Sequence, residues 1–301
     1  MRVLVSGASG LVGSAVVQAL VRSGNDVRKL ARERQTGKTQ GNGIAWNVET
    51  GGVDEKALKE WGGPDAMIHL AGESIASGRW TKEKKRRIRE SRVETTQRLA
   101  ENLARVGGVK VFVGASAVGF YGDRGDELLT EASSRGTGFL AETCEQWEAA
   151  ALPLAASGAR VVHLRFGMIL SADGGALAKM LPIFRLGLGG RLGNGRQWVS
   201  WVSRNDVIRA IEFAFDQSLV AGPHNVVAPN PVRNSELTKE LGKTIRRPTV
   251  LPAPAFALSM VFGEMAEAML LSSQRVIPES LARSGFKFEQ PTVREAFKAC
   301  L

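Results

Sequence analysis

Along the first half of the chain, short apolar runs alternate with stretches whose apolar residues recur at helical spacing. Residues 3–6, 26–30, 43–46, 66–71, 110–116 and 160–166 read as strands; 11–22, 53–61, 81–106 and 139–157 read as helices. Apolar runs without polar alternation belong to strands buried on both faces, and strands alternating with helices pair in parallel. Right-handed crossovers then make a doubly wound parallel sheet, a Rossmann-type α/β fold, the expected architecture. Beyond residue 166 the rhythm changes. Glycine pairs crowd 167–195, and 221–233 and 247–254 carry three prolines each. We divide the chain into a sheet-forming domain over 1–166 and a mixed segment over 167–301. The second segment is expected to return to the sheet and to build a smaller substrate lobe.

With 301 residues, 44% of them apolar, the chain can bury a core without disulfide or metal staples. Cys144 and Cys300 form no CxxC pair, and His69, His163 and His224 lack ligand spacing. A reduced, cytoplasmic setting and no metal site are therefore expected. No secretory-leader pattern opens the chain, and no run of about 18 apolar residues exists to span a membrane. The formal charge of +10 is uneven: residues 79–92 hold eight basic and two acidic side chains, a local +6. Such a block attracts nucleic acid, but it also suits the solvated face of a helix that buries Trp80, Ile88 and Leu99. No aromatic ladder accompanies it, so nucleic acid is not an expected partner.

The strongest chemical signal is Ser6-Gly7-Ala8-Ser9-Gly10-Leu11-Val12-Gly13, which follows one strand and opens a helix. That context suits a dinucleotide. Gly7 permits the turn, Gly10 lets backbone approach a pyrophosphate, and Gly13 lets helix pack on strand. Leu11 and Val12 lie at the helix N-terminus, whose free N–H groups favour an anion. An NAD binder carries an acidic residue about 20 positions after the glycines to hold the ribose 2′-hydroxyl. Here the second strand ends Lys29-Leu30-Ala31-Arg32-Glu33-Arg34. Arg32 and Arg34 suit the 2′-phosphate of NADP(H) instead, with Ser9 as a further hydrogen-bonding group.

At these residues the sequence resembles the extended short-chain dehydrogenase/reductase superfamily. His69-Leu70-Ala71-Gly72 is similar to the superfamily's fourth-strand motif, whose backbone passes beside the cofactor. Asn47, after Trp46, sits where its members carry an acidic residue near the adenine. Ala71-Gly72-Glu73, Arg79-Trp80, Ser91-Arg92 with Thr95, Trp147-Glu148, Gln197 with Trp201, and 228–231 resemble one atypical subgroup. This is the NAD(P)-dependent epimerase-like family, often labelled a sugar nucleotide epimerase or a cell-division inhibitor. A family-specific region over 249–296, with Gln274–Pro278 and Gly285-Phe286, matches as well. The resemblance implies cofactor contacts at Leu70, Ala71, Gly72 and Glu73, and an oxidoreductase or epimerase acting on a small carbonyl or nucleotide-sugar-like substrate.

The superfamily's Tyr-x-x-x-Lys pair is missing. No lysine stands between Lys110 and Lys179, Phe139 or Leu140 occupies the tyrosine position, and Thr143 or Cys144 the lysine position. The one tyrosine, Tyr121, and Ser116 are the candidate catalytic residues; packing at the loop is the equal alternative for Tyr121. Arg165, Gln197 and Trp201 are candidate substrate contacts, against a surface ion pair for Arg165 and core packing for Trp201. A non-catalytic NADP(H)-responsive sensor is the competing reading. Because the basic helix would repel its own copy, a monomer or weak homodimer is expected.

Overall fold

The computed structural model describes residues 1–32, 43–217 and 220–301. In chain order, β1 (Arg2–Ser6), α1 (Gly13–Arg22), β2 (Asp26–Arg32), β3 (Gly43–Trp46), α2 (Glu55–Trp61) and β4 (Ala66–His69) come first. They are followed by α3 (Lys82–Glu90), α4 (Val93–Val106), β5 (Val111–Ala117) and α5 (Phe139–Ala149). Burial explains the unbroken apolar runs. Val3 and Val5 of β1 pack with Val16 and Leu20 of α1, while Leu4 enters a second core with Leu99 and Leu103 of α4.

Seven strands form one sheet in the order Gly222–Val226, Arg160–Phe166, β5, β4, β1, β2, β3, with every pairing parallel. The strand order reverses between β1 and β4. In doubly wound sheets that reversal opens the crevice where ligands bind, outside the carboxyl ends of the strands. A smaller core beside the sheet gathers Leu177, Leu181, Trp201, Leu237 and Phe297.

Two expected helices are split. The stretch 81–106 breaks at Ser91–Arg92, between α3 and α4. There Ser91 Oγ donates to the Ile88 carbonyl and Thr95 Oγ1 to that of Glu90, so side chains take carbonyls that a continuous helix would use. The stretch 139–157 breaks after Ala149, and Pro153 lies in the first turn of the next helix, Leu152–Ala156.

A buried polar chain ties these layers beneath the crevice. His69 Nδ1 lies 2.7 Å from Ser6 Oγ, and its Nε2 lies 3.0 Å from Thr96 Oγ1, which also accepts the Trp147 indole N–H at 3.0 Å. Burial holds the His69 imidazole at a pKa of about 4, below its ordinary 6.5, so it is neutral in the fold. The unfolded chain takes up this proton first as the pH falls. Stability is therefore full above pH 6.5 and is lost towards pH 4, by about 3 kcal/mol from this group. Urea unfolding across that window checks it; a flat profile contradicts a buried neutral His69.

Candidate functional site

The glycine turn stands at the crevice. Gly7 has φ +67°, and a Cβ there would come within 2.7 Å of the Leu70 carbonyl. A Cβ on Gly13 would overlap the Gly7 carbonyl oxygen. Leu70 is itself pinned, its N–H 3.2 Å from Ser6 Oγ. The turn closes by the Gly10 N–H donating to the Gly7 carbonyl at 2.9 Å, and no side chain caps the N-terminus of α1 at Val12. Open N–H groups and the helix dipole suit an anion there. Ser9 is exposed on the turn. Leu11 leans on Gly174, so close that a Cβ on Gly174 would lie 3.2 Å from Leu11 Cδ1. The helix Gly175–Arg185 thus begins against the turn and forms the crevice's other wall.

At the end of β2, Arg32 is exposed and has no ion pair among the described residues. It pairs in register with Trp46 of β3. Arg34 lies outside the described residues. Asn47 spends its side-chain oxygen on a local turn, accepting from the Glu49 and Thr50 N–H groups at 2.9 and 3.0 Å.

Past β4, Ala71 and Gly72 lead to Glu73, whose carboxylate accepts from Lys84 Nζ at 2.6 Å. That hydrogen bond from Lys84 holds the Glu73 carboxyl below its ordinary range. Lys84 also donates to Ser77 Oγ at 2.6 Å, so the pair staples this loop to α3. From the other wall, Lys179 Nζ reaches the Ala76 carbonyl at 2.6 Å.

Beside Gly72 sits a group to which sequence reasoning gave no role. The Arg92 guanidinium lies at the α3–α4 break, where a Cβ on Gly72 would come within 3.3 Å of its Cζ. It stacks 5.1 Å from the Trp147 ring centroid and donates to the Ile88 carbonyl at 3.2 Å. No carboxylate pairs with it among the described residues, and burial pulls its pKa down. Cys144 is its neighbour on α5; burial first, then Glu148, push that thiol up to about 12. Cys144 is a neutral, inert group.

The candidate catalytic pair lies in a closed network. Ser116 Oγ donates to Glu148 Oε1 at 2.6 Å. Arg165 grips the same carboxylate with Nε at 2.8 Å and a terminal nitrogen at 2.7 Å. Its other nitrogen donates to the Tyr121 oxygen at 3.0 Å, and Tyr121 donates to Asn225 Oδ1 at 2.8 Å. The Phe120 ring covers the guanidinium at 3.5 Å. Burial opposes the Arg165 charge, but Glu148 and Tyr121 together outweigh it and raise the pKa. For Tyr121 burial wins: its pKa is raised despite Arg165.

The three candidate substrate contacts are all engaged within the fold. Arg165 is 3% exposed with its fork fully used, so it is neither a surface ion pair nor an open contact. Trp201 is wholly buried in the smaller core, its indole N–H bonded to the Asn230 carbonyl at 3.1 Å. Gln197 donates to the Leu192 and Leu270 carbonyls at 3.2 and 2.9 Å and ties loop to C-terminal segment. Trp201 and Gln197 hold the smaller lobe together, and Arg165 ties α5 to the sheet. Glu148 and Arg92 were visible only as members of family-like dipeptides, because their partners lie far away in sequence.

The sequence profile of the NAD dependent epimerase/dehydratase family matches residues 3–228, and that of a domain of unknown function, DUF1731, matches 253–300. The chain belongs to the NAD dependent epimerase/dehydratase family. It is 42% identical to an epimerase family protein of Mycobacterium bovis, over 98% of this chain and 95% of the relative. It is 36% identical to the chloroplastic SDR39U1 homolog of Arabidopsis thaliana, over 100% of this chain and 87% of the relative. Among solved structures, human epimerase family protein SDR39U1 (isoform 2) with NADPH superposes with a TM-score of 0.89 at 32% identity, covering 100% of this chain and 99% of that one. The extended short-chain dehydrogenase/reductase resemblance and the Rossmann-type sheet are thereby confirmed.

The buried ion pair makes a sharp test. Glu148 and Arg165 side chains are 13% and 4% exposed. Removing one partner of such a pair costs about 3–5 kcal/mol, because the other charge stays buried. Glu148→Ala is expected to lose that much in urea unfolding, and Tyr121→Phe only about 1 kcal/mol. Equal, small losses would refute the network's role.

Proposed function

We propose that the chain is an NADP(H)-binding oxidoreductase or epimerase-like protein acting on a small carbonyl or nucleotide-sugar-like substrate. The observation that carries the reading is Arg32, an exposed cation ending β2 without an ion pair among the described residues, beside a glycine turn with no room for side chains. The NADPH bound in the human SDR39U1 structure supports the same cofactor. The residues fit it. The uncapped N-terminus of α1, with Ser9, Gly10, Leu11, Val12 and Gly13, would hold the pyrophosphate, and Arg32 with Arg34 the 2′-phosphate. Leu70, Ala71 and Gly72 would line the cofactor with backbone, and Asn47 would stand near the adenine. The bound nicotinamide supplies hydride transfer.

Beside Gly72, Arg92 offers the positive charge that the superfamily places on a lysine of α5. Without a carboxylate partner it is suited to steady oxygen charge on a substrate carbonyl. Ser116 and Tyr121 stay in the proposal as proton-handling groups only if Glu148 and Asn225 release them. Their present engagement favours the second reading, an NADP(H)-responsive regulatory protein without turnover.

Two measurements separate these. Arg32→Ala is expected to weaken NADPH binding about 10- to 100-fold while NADH binding changes little, the scale of a lost charged hydrogen bond; equal losses for both would sink the NADP(H) assignment. Loss of reduced-nicotinamide absorbance with short-chain carbonyls, or inversion of a UDP-sugar centre with the oxidised cofactor and no net redox change, supports the enzyme, and Arg92→Ala is expected to lower its turnover more than NADPH affinity. Tight NADPH binding with no turnover on such a panel supports the regulatory protein.

A further inference from the structure

The smaller lobe carries an apolar surface that the nucleotide crevice does not use. Helix Ala255–Phe262 buries none of its residues. Phe256, Met260 and Val261 on it, with Val250 before it and Leu186 and Leu188 from the neighbouring loop, are each 55% to 75% exposed. These positions form one platform. The loop and the segment before the helix pair through Ala253 N–H to the Arg191 carbonyl at 2.9 Å and Gly193 N–H to the Ala253 carbonyl at 2.8 Å. Gly190 packs so tightly on the Leu251 carbonyl that a Cβ there would overlap it.

The charge around this platform is mainly positive: of the exposed acids that follow the helix, Glu264 and Glu267, the first is held by Lys85 at 2.9 Å. Residues 174–205 contain five basic side chains and no acidic one, and residues 241–263 contain three and none. Arg185, Arg191, Arg246 and Arg247 are exposed on it, without an ion pair among the described residues. Contiguous exposed apolar side chains mark an interaction surface. Apolar side chains rimmed by unpaired arginines are the composition of segments that lie in the interface of an anionic bilayer.

We propose that this platform docks peripherally on an anionic phospholipid surface, with Phe256, Met260 and Val261 entering the headgroup boundary and the four arginines facing lipid phosphates. A second copy fits worse, because a two-fold contact would set the four arginines against their own copies, and Glu264 beside them is already held by Lys85. No helix among the described residues is long and apolar enough to cross a membrane, and peripheral docking needs none.

The test is co-sedimentation of the full chain with vesicles of phosphatidylcholine alone or mixed with phosphatidylserine. Binding is expected to the mixed vesicles only, and to weaken as salt rises. Phe256→Ser with Met260→Ser leaves the net charge unchanged, and both residues are exposed, so the melting temperature should hold. This variant is expected to lose binding about tenfold or more, the scale of two large side chains leaving an apolar phase. Undiminished binding by it would mean attraction by charge alone and overturns the proposal. So does absence of binding to the mixed vesicles, or sedimentation showing a dimer that the same two substitutions dissolve.

Discussion

The structure depends on backbone meeting backbone where the glycine turn crosses the end of β4. Gly7 lies against the Leu70 carbonyl and Gly13 against the Gly7 carbonyl, so no side chain can be inserted on either. This contact sets the distance between β1 and the start of α1, and with it the width of the crevice at the strand reversal. The Ser6–His69–Thr96–Trp147 chain then anchors the same level to α4 and α5. A neutral imidazole can bridge two hydroxyls in a dry interior at little cost, where a charged one could not.

On the other side of β4 the organising element is electrostatic. Glu148 of α5 satisfies Arg165 and Ser116 together, and Arg165 orients Tyr121 towards Asn225. One carboxylate thereby joins α5 to the ends of β5, Arg160–Phe166 and Gly222–Val226. Arg92 has no carboxylate partner among the described residues. The two arginines therefore face different demands: Arg165 is neutralised by Glu148, whereas Arg92 stacks on Trp147 and donates to the Ile88 carbonyl.

Much of this was legible in the chain. Strand positions followed from unbroken apolar runs, since burial on both faces leaves no polar alternation, and the glycine turn followed from its strand-turn-helix setting. The helix break at Ser91–Arg92 was not, because hydroxyls that compete for carbonyls do not disturb apolar periodicity, and the break after Ala149 is marked in sequence by Pro153 alone. Nor were the duties of Arg165, Gln197 and Trp201. Polar and aromatic residues near a cleft look alike in sequence whether they face ligand or core, and only the distant partners Glu148, Leu270 and Asn230 decide. The apolar platform was hidden for the opposite reason: an apolar run does not say whether it will be core or surface, and only the fold leaves these residues outside.

The arrangement around Cys144 also limits how this scaffold can change. The superfamily's lysine belongs at or beside that position, yet the space is already held by the Arg92 guanidinium, reaching in from another helix. A lysine introduced at 144 would bury a second cation against the first, in surroundings dry enough to keep a thiol protonated. A tyrosine at 140 would crowd Gly119, where Leu140 already lies within contact of any added carbon. At 140 and 144 a Tyr-x-x-x-Lys pair is thus opposed by packing and by charge, and a lysine at 144 would have to displace the Arg92 guanidinium.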